Sequence, residues 1–275
     1  MSKMVRKIDW NERLAGYIDE MHNSYHLHRK DVLQAMIPAS ALQPGRQIYD
    51  FGCGEGTFLA RFLDAGARVA GSDIAPGMID AARERLAQSL HRTNSSSSRL
   101  RVGGVEVLSD LPQATFDGMM ALNVLAYLNP VEERTFYEQA HRALRKGGWL
   151  LVTHSNQLFD LFSLNKYTLA FMRDNLLFSS ERAYAEEIAA LLLKHDEPKG
   201  SKALPLPLRE NPLNYRFKLD SYGFDEIRQE FVNRHEAPPP VLREQHYPDT
   251  LNLPPEERWK LLFTCSTFVS LSTRR

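Results

Sequence analysis

The sequence predicts an α/β fold, a doubly wound and mostly parallel sheet of seven strands with helices on both faces and an inserted helical lid. Three observations predict it. Strand-like and helix-like segments alternate through residues 46–154, the order that builds a parallel sheet covered on both sides. A glycine run, GCGEG, stands between the first strand and the helix that follows it. Two further strand-like segments, 225–234 and 261–271, return after an interruption and bring the number of strands to seven.

Taken in order, residues 9–36 read as helix, with Leu14, Tyr17, Ile18 and Met21 at helical spacing. A turn at Gln43-Pro44-Gly45 leads to a short buried strand, Gln47–Phe51. Beyond the glycine run, Phe58, Leu59, Phe62 and Leu63 share one helical face. Residues 67–72 form the second strand, and Pro76 suits the first turn of the next helix, whose apolar stripe is Met78, Ile79, Ala82 and Leu86. The serine run at 94–98 reads as a surface loop between this helix and strands at 100–103 and 116–122. Asn129-Pro130-Val131-Glu132 is a helix start with an Asn cap, Pro in the first position and Glu in the third. Lys146-Gly147-Gly148 reads as the stop of that helix, with a fifth strand at 149–154. Residues 157–195 then read as mostly helical and 198–215 as rich in proline. The expected division is an N-terminal helical cover over 1–45, a core over 46–156 and 216–275, and a helical substrate lid over 157–215.

Composition narrows the function classes. With 34 basic and 34 acidic residues among 275, the chain lacks the broad positive surface that nonspecific nucleic-acid binding needs. Two cysteines, Cys53 and Cys265, supply neither a disulfide framework nor a four-cysteine zinc site, and no His-Glu or Cys cluster has ligand spacing, so no metal is expected. No apolar run approaches the roughly 18 residues of a membrane span. The opening MSKMVRKIDWNERL has no apolar core after its basic residues, which predicts no secretory signal and a cytoplasmic protein.

The glycine run carries the chemistry. Gly52, Gly54 and Gly56 let the chain leave a strand sharply and approach a ligand closely, and the next helix aims its first amides there. Asp73, at the end of the second strand, lies about 20 residues on, where a carboxylate accepts ribose hydroxyls. The spacing is G-x-G-x-G rather than the dinucleotide G-x-G-x-x-G, and Asp50 and Glu55 flank it. Those carboxylates repel a pyrophosphate and tolerate a ligand with a positive centre, such as S-adenosylmethionine with its sulfonium and ammonium groups.

At these residues the sequence resembles the class I S-adenosylmethionine-dependent methyltransferases, whose sheet is Rossmann-like. The resemblance rests on DFGCGEG (50–56), SD (72–73) with Met78 after it, LPQATFDGMMALNVLAYL (111–128) and LRKGGWLLVTHSN (144–156). It implies that Asp50 holds the methionine amino group, that the glycines line the methionine moiety, that Asp73 binds ribose and that Met78 packs on adenine. The implied cofactor set is Asp50, Gly52, Cys53, Gly54, Gly56, Asp73, Ile74, Met78, Val105, Glu106 and Asn123, with Cys53 a small packing residue rather than a nucleophile. One departure stands out. Gly104 occupies the place where relatives often carry an acidic contact to the adenine amino group, which leaves Glu106, Asp110 or backbone groups for that role.

In a doubly wound sheet the ligand lies at the carboxyl ends of the strands, so Asn123, Tyr127, His154, Ser155 and Asn156 are the candidates around the acceptor. His154 is the expected general base, since imidazole titrates near neutral pH; a histidine bonded to loop backbone is the plainer alternative. Tyr25 and His28 of the N-terminal segment, Tyr167 of the lid, and Arg209 and Tyr215 near the return to the core complete the expected substrate contacts.

The leading expectation is therefore an enzyme that moves a methyl group by in-line displacement to an oxygen or nitrogen of a small molecule, a natural-product or saccharide precursor for example, leaving S-adenosylhomocysteine. It would work as a monomer or homodimer. Two alternatives stay open: an RNA or protein methyltransferase, and a regulatory partner that binds the cofactor without catalysis.

Overall fold

The computed structural model describes residues 24–93, 98–160, 208–234 and 255–275. Inside the sheet lies β1 (Gln47–Phe51), flanked in parallel by β2 (Arg68–Asp73) on one side and β4 (Phe116–Ala121) on the other. Outside β2 lies β3 (Ser98–Val102), and outside β4 lies β5 (Leu144–Ser155), both parallel to their neighbours. The last strand, β7 (Cys265–Arg274), inserts antiparallel between β5 and β6 (Phe224–Arg234). The order is thus β3-β2-β1-β4-β5-β7-β6, seven strands as the sequence predicts.

The alternation of side chains along the strands divides the apolar core in two. Ile48, Val69, Met120, Leu151 and Val269 face one side, where they meet Val32, Leu33 and Met36 of α1 (Ser24–Met36), Leu59 and Phe62 of α2 (Thr57–Asp64), and Ile79 and Leu86 of α3 (Pro76–Thr93). Tyr49, Met119, Leu150, Val152 and Phe268 face the other. There they meet Phe136, Tyr137 and Ala140 of α4 (Pro130–Ala143), Tyr215 and Leu219 of α5 (Tyr215–Ser221), and Leu261 of α6 (Leu261–Thr264). Near-continuous apolar strands are what a sheet buried on both faces requires.

Two segments depart from the sequence reading. Lys146-Gly147-Gly148 does not end α4. The helix stops at Ala143, Leu144 is fully buried and pairs with Phe116, and the register jumps so that Gly118 pairs with Trp149. The glycines form an irregularity at the entry to β5, where a Cβ on Gly148 would lie 2.8 Å from the carbonyl of Arg145. Second, the apolar run Leu261–Thr264 is a short helix, and the strand begins only at Cys265. Burial of Leu261 in the core satisfies the same hydrophobicity from a helix as from a strand. The Asn129 start is as expected: its side chain accepts from the amides of Val131 and Glu132, while the Glu132 carboxylate accepts from the Asn129 amide.

Of the expected cover, residues 24–45 are described; of the expected lid, 157–160 and 208–215. Among the described residues no helix is long and apolar enough to cross a membrane.

Candidate functional site

The sheet order reverses between β1 and β4, so a crevice opens at the carboxyl ends of these two strands. The glycine loop forms one wall and the residues after β4 form the other. Gly52 and Gly54 both take left-handed backbone angles, with φ of 73° and 51°, but their surroundings differ. A Cβ on Gly52 would lie 2.1 Å from Cγ2 of Val124, so glycine there lets the β4 loop close on the β1 loop. A Cβ on Gly54 would meet nothing within 4 Å. That open space lies directly against the backbone amide that the Asp73 carboxylate holds at 2.9 Å. The third glycine serves helix packing, since a Cβ on Gly56 would sit 3.1 Å from that of Ala82 on α3.

Asp73 ends β2 with one carboxylate oxygen on the Gly54 amide and the other on the Ala75 amide, each at 2.9 Å. A carboxylate has about four lone-pair sites, so acceptor capacity remains for a ligand hydroxyl. Burial raises the Asp73 carboxyl above its ordinary range, against the lowering effect of those amides. Asp50 lies on β1, 3% exposed, and its Oδ1 has no hydrogen-bond partner. Burial first, and Asp73 second, push its carboxyl well up. Glu55 differs from both. Arg85 of α3 reaches its carboxylate at 2.8 Å and its carbonyl at 3.1 Å, so the second acidic residue of the loop is neutralised inside the protein. Cys53 is buried between these groups, and burial raises its thiol, which suits packing and not nucleophilic attack.

The residues expected on the cofactor side lie at or follow the carboxyl ends of β1, β2, β3 and β4. Ile74 follows Asp73, and Met78 is buried in the first turn of α3. Val105 and Glu106 open the 3-10 turn after β3, where the Glu106 side chain folds back to accept from the Gly104 amide at 2.9 Å. Asp110 makes an exposed ion pair with Arg101. Asn123 follows β4 in a left-handed conformation, φ 59°, with its amide on the Thr153 hydroxyl at 2.7 Å. Tyr127, half-buried, ends the turn beyond it.

The acceptor-side expectations fare differently, and four need correction. His154 is 3% exposed and faces the core beneath α4 and α5: its ring lies 5.1 Å from that of Phe268 and 4.5 Å from that of Tyr215, with Nε2 3.4 Å from the Tyr137 hydroxyl. Burial, aided by Lys218, lowers its pKa well below that of a free imidazole, so it is a neutral core histidine. The cause is β7, which continues the sheet past the end of β4 and encloses the last residues of β5. Asn156 is fully buried, donating to the carbonyls of Leu262 and Cys265 and accepting from the Leu158 amide. Arg209 forks onto the buried carboxylate of Asp160 and donates to the Asn156 carbonyl at 3.1 Å. Tyr215 shares a hydroxyl pair of 2.7 Å with Tyr137. These side chains brace the end of β5 and the segment that bonds to it, with Glu210 linked through its backbone to Ser155 and Gln157. Tyr25 and His28 fall on α1 with side chains outside the described part, and Tyr167 lies outside the described residues.

Sequence reasoning missed Arg85 and Val124, whose roles depend on neighbours distant in sequence, and also Asn233. At the carboxyl end of β6, Asn233 is 7% exposed with φ 62°, its Nδ2 on the Thr267 hydroxyl at 3.0 Å and its Oδ1 without a partner. An asparagine at a strand end, the residue type that tolerates left-handed angles, is the one signal that could have marked it.

Comparison with known proteins agrees with this geometry. Residues 48–148 match the family model described as a methyltransferase domain. The malonyl-[acyl-carrier protein] O-methyltransferase of Serratia marcescens is 30% identical over 123 residues, which span 45% of this chain and 44% of that protein. An uncharacterized methyltransferase of Emericella nidulans is 31% identical over 130 residues, 42% of this chain and 44% of that protein. The chain thus matches less than half the length of these curated relatives. Among solved structures, an S-adenosylmethionine-dependent methyltransferase from Archaeoglobus fulgidus aligns over 94% of this chain and 99% of its own, with TM-score 0.57 and 15% identity. The magnesium protoporphyrin IX methyltransferase of Synechocystis, solved with S-adenosylhomocysteine, aligns over 98% and 99%, also with TM-score 0.57 and 15% identity. Likeness at this identity speaks for the fold.

Proposed function

We propose, from the premise that this chain belongs to the class I S-adenosylmethionine-dependent methyltransferases, that it binds S-adenosylmethionine in the β1–β4 crevice and methylates an oxygen or nitrogen of a small molecule. The observation that carries the cofactor reading is the pair Asp50 and Asp73. Both carboxylates are desolvated, and among the described residues neither is paired with a lysine or arginine. Such a site fits a ligand bearing a cation and a diol, and the open face of Gly54 gives its backbone room to approach.

The cofactor supplies a methyl group already activated on a sulfonium. What remains for the protein is to hold donor and acceptor in line and keep water away, and alignment of this kind lowers a barrier by as much as about 7–11 kcal/mol. Gly52 and Val124 bring the two walls together, Thr153 fixes the Asn123 backbone at the end of β4, and Tyr127 borders the space above. With His154 enclosed in the core, the polar groups among the described residues that can orient the acceptor are Asn123 and Tyr127 at β4 and Asn233 at β6. The small-molecule reading is supported by the balanced charge of the chain. It is also supported by the name of one similar protein, a magnesium protoporphyrin IX methyltransferase, whereas that of another, a malonyl-[acyl-carrier protein] O-methyltransferase, points to a small acyl group held on a carrier protein.

Titration calorimetry with S-adenosylmethionine tests the cofactor half. Saturable binding is expected for the native chain, and Asp73→Ala should weaken it at least tenfold, since that change removes both ribose acceptors and frees the Gly54 and Ala75 amides. Unchanged affinity in Asp73→Ala would show the ribose assignment to be wrong.

A further inference from the structure

Among the described residues, most buried and half-buried carboxylates have a cation or hydrogen-bond donors beside them, and one stands apart. Asp117 pairs with Arg46 and Arg145, Asp160 with Arg209, Glu133 and Glu210 with Lys218, Glu230 with Arg228 and Arg258, and the loop residue Glu55 with Arg85. Asp73, which lacks a cation, has backbone amides on both oxygens. Asp50 has neither for its Oδ1. It stands on the inner strand β1 between Gly71 of β2 and Met120 of β4, 3% exposed. The titratable groups around it all disfavour a negative charge or leave it unaided. Asp73 lies at the end of β2, Cys53 in the glycine loop has a thiol raised by burial, and the Tyr49 phenol is pushed up to about 12, also by burial.

An ionised carboxylate in that position would have little contact with bulk solvent and no counter-charge among the described residues, and a buried acid in those circumstances takes up a proton instead. We propose that Asp50 is a neutral carboxylic acid in the free protein and gives its proton to solvent when the ammonium group of the cofactor arrives, so that binding exchanges a proton for a cation. The step balances: a carboxylic acid and an ammonium ion become a carboxylate–ammonium pair and one proton in water. This deepens the cofactor reading above and rests on it. Its consequence is that cofactor affinity rises with pH wherever the free protein holds Asp50 protonated, by up to about tenfold per pH unit for a single proton released.

The test is calorimetry near neutral pH in two buffers of different ionisation heat, which counts protons released on binding. Three probes are used on the native chain: S-adenosylmethionine, S-adenosylhomocysteine and 5′-methylthioadenosine, the last of which keeps adenine, ribose and thioether but has no ammonium. Release of close to one proton is expected with the first two and none with the third. In Asp50→Asn, release should vanish and the pH slope of affinity should flatten; the three-probe comparison needs no substitution should that variant fail to fold. Binding of S-adenosylmethionine with no proton released would overturn the proposal and leave the cofactor reading standing. Equal release with 5′-methylthioadenosine would overturn it as well, by tracing the proton to the ribose side at Asp73. No binding of S-adenosylmethionine at any pH would remove the cofactor reading, and the exchange with it.

Discussion

At the scale of single residues, two glycines in one loop have opposite reasons to be glycine, and substitution separates them. Gly52→Ala would force a left-handed alanine against Val124, which together cost about 2–5 kcal/mol of stability. Gly54→Ala carries only the backbone cost of about 1–2 kcal/mol, because its Cβ enters open space. Yet that methyl would occupy the space through which the ligand approaches, so Gly54→Ala should lose cofactor affinity by tenfold or more while remaining folded. Urea unfolding and calorimetry on both variants check the contrast; a Gly54→Ala protein of native affinity would place the cofactor elsewhere. His154 makes the reverse point. Its pKa is lowered by burial, so the unfolded chain takes up a proton below about pH 6.5 that the folded chain refuses. Its contribution to stability is present above that pH and lost as pH falls. His154→Phe should therefore unfold less readily in acid than the native protein and keep methyl transfer within a few-fold. A loss of a hundredfold or more, the scale of a missing general base, would return it to the chemistry.

At the scale of elements, what could be read from sequence was whatever local chemistry decides. The α4 start depends on four consecutive residues, Asn129 to Glu132, and every predicted hydrogen bond of its capping box is formed. Asn129→Ala should cost about 1 kcal/mol of stability with cofactor affinity unchanged, since its side chain is exposed and bonds only within the first turn of α4; altered affinity would mean that α4 positions the β4 wall. The glycine loop was legible for the same reason, because G-x-G-x-G between strand and helix with Asp73 beyond it is a local pattern. Elements whose form depends on distant partners were not. Leu261–Thr264 is apolar enough for either helix or strand, and only the start of pairing at Cys265 with Arg234 decides between them. Lys146-Gly147-Gly148 looked like a helix stop, whereas the pairing of Leu144 with Phe116 draws the chain into the sheet earlier. Arg209 and Asn156 looked like ligand contacts because polar residues near a strand end usually are. Their partners, Asp160 and the carbonyls of Leu262 and Cys265, are up to 109 residues away along the chain.

At the scale of the whole molecule, the sheet order puts the reversal point between β1 and β4, and every cation-free buried carboxylate of the crevice lies beside it. The antiparallel β7 completes the sheet on the acceptor side and, by covering β5, turns His154 from an expected base into core. In the proposed site the donor half is defined by Asp50, Asp73 and the glycine loop, and polar groups at the ends of β4 and β6 are the proposed acceptor contacts among the described residues. The balanced charge of 34 basic against 34 acidic residues fits an acceptor that is small rather than a nucleic acid. The most direct test of this account is to incubate the protein with S-adenosylmethionine and a low-molecular-mass cell extract, then follow both products by mass spectrometry. Expected is a small molecule heavier by one methylene, formed in step with S-adenosylhomocysteine and absent from the Asp73→Ala reaction. Label appearing instead in added RNA or protein, or no S-adenosylhomocysteine with any acceptor fraction, would contradict it.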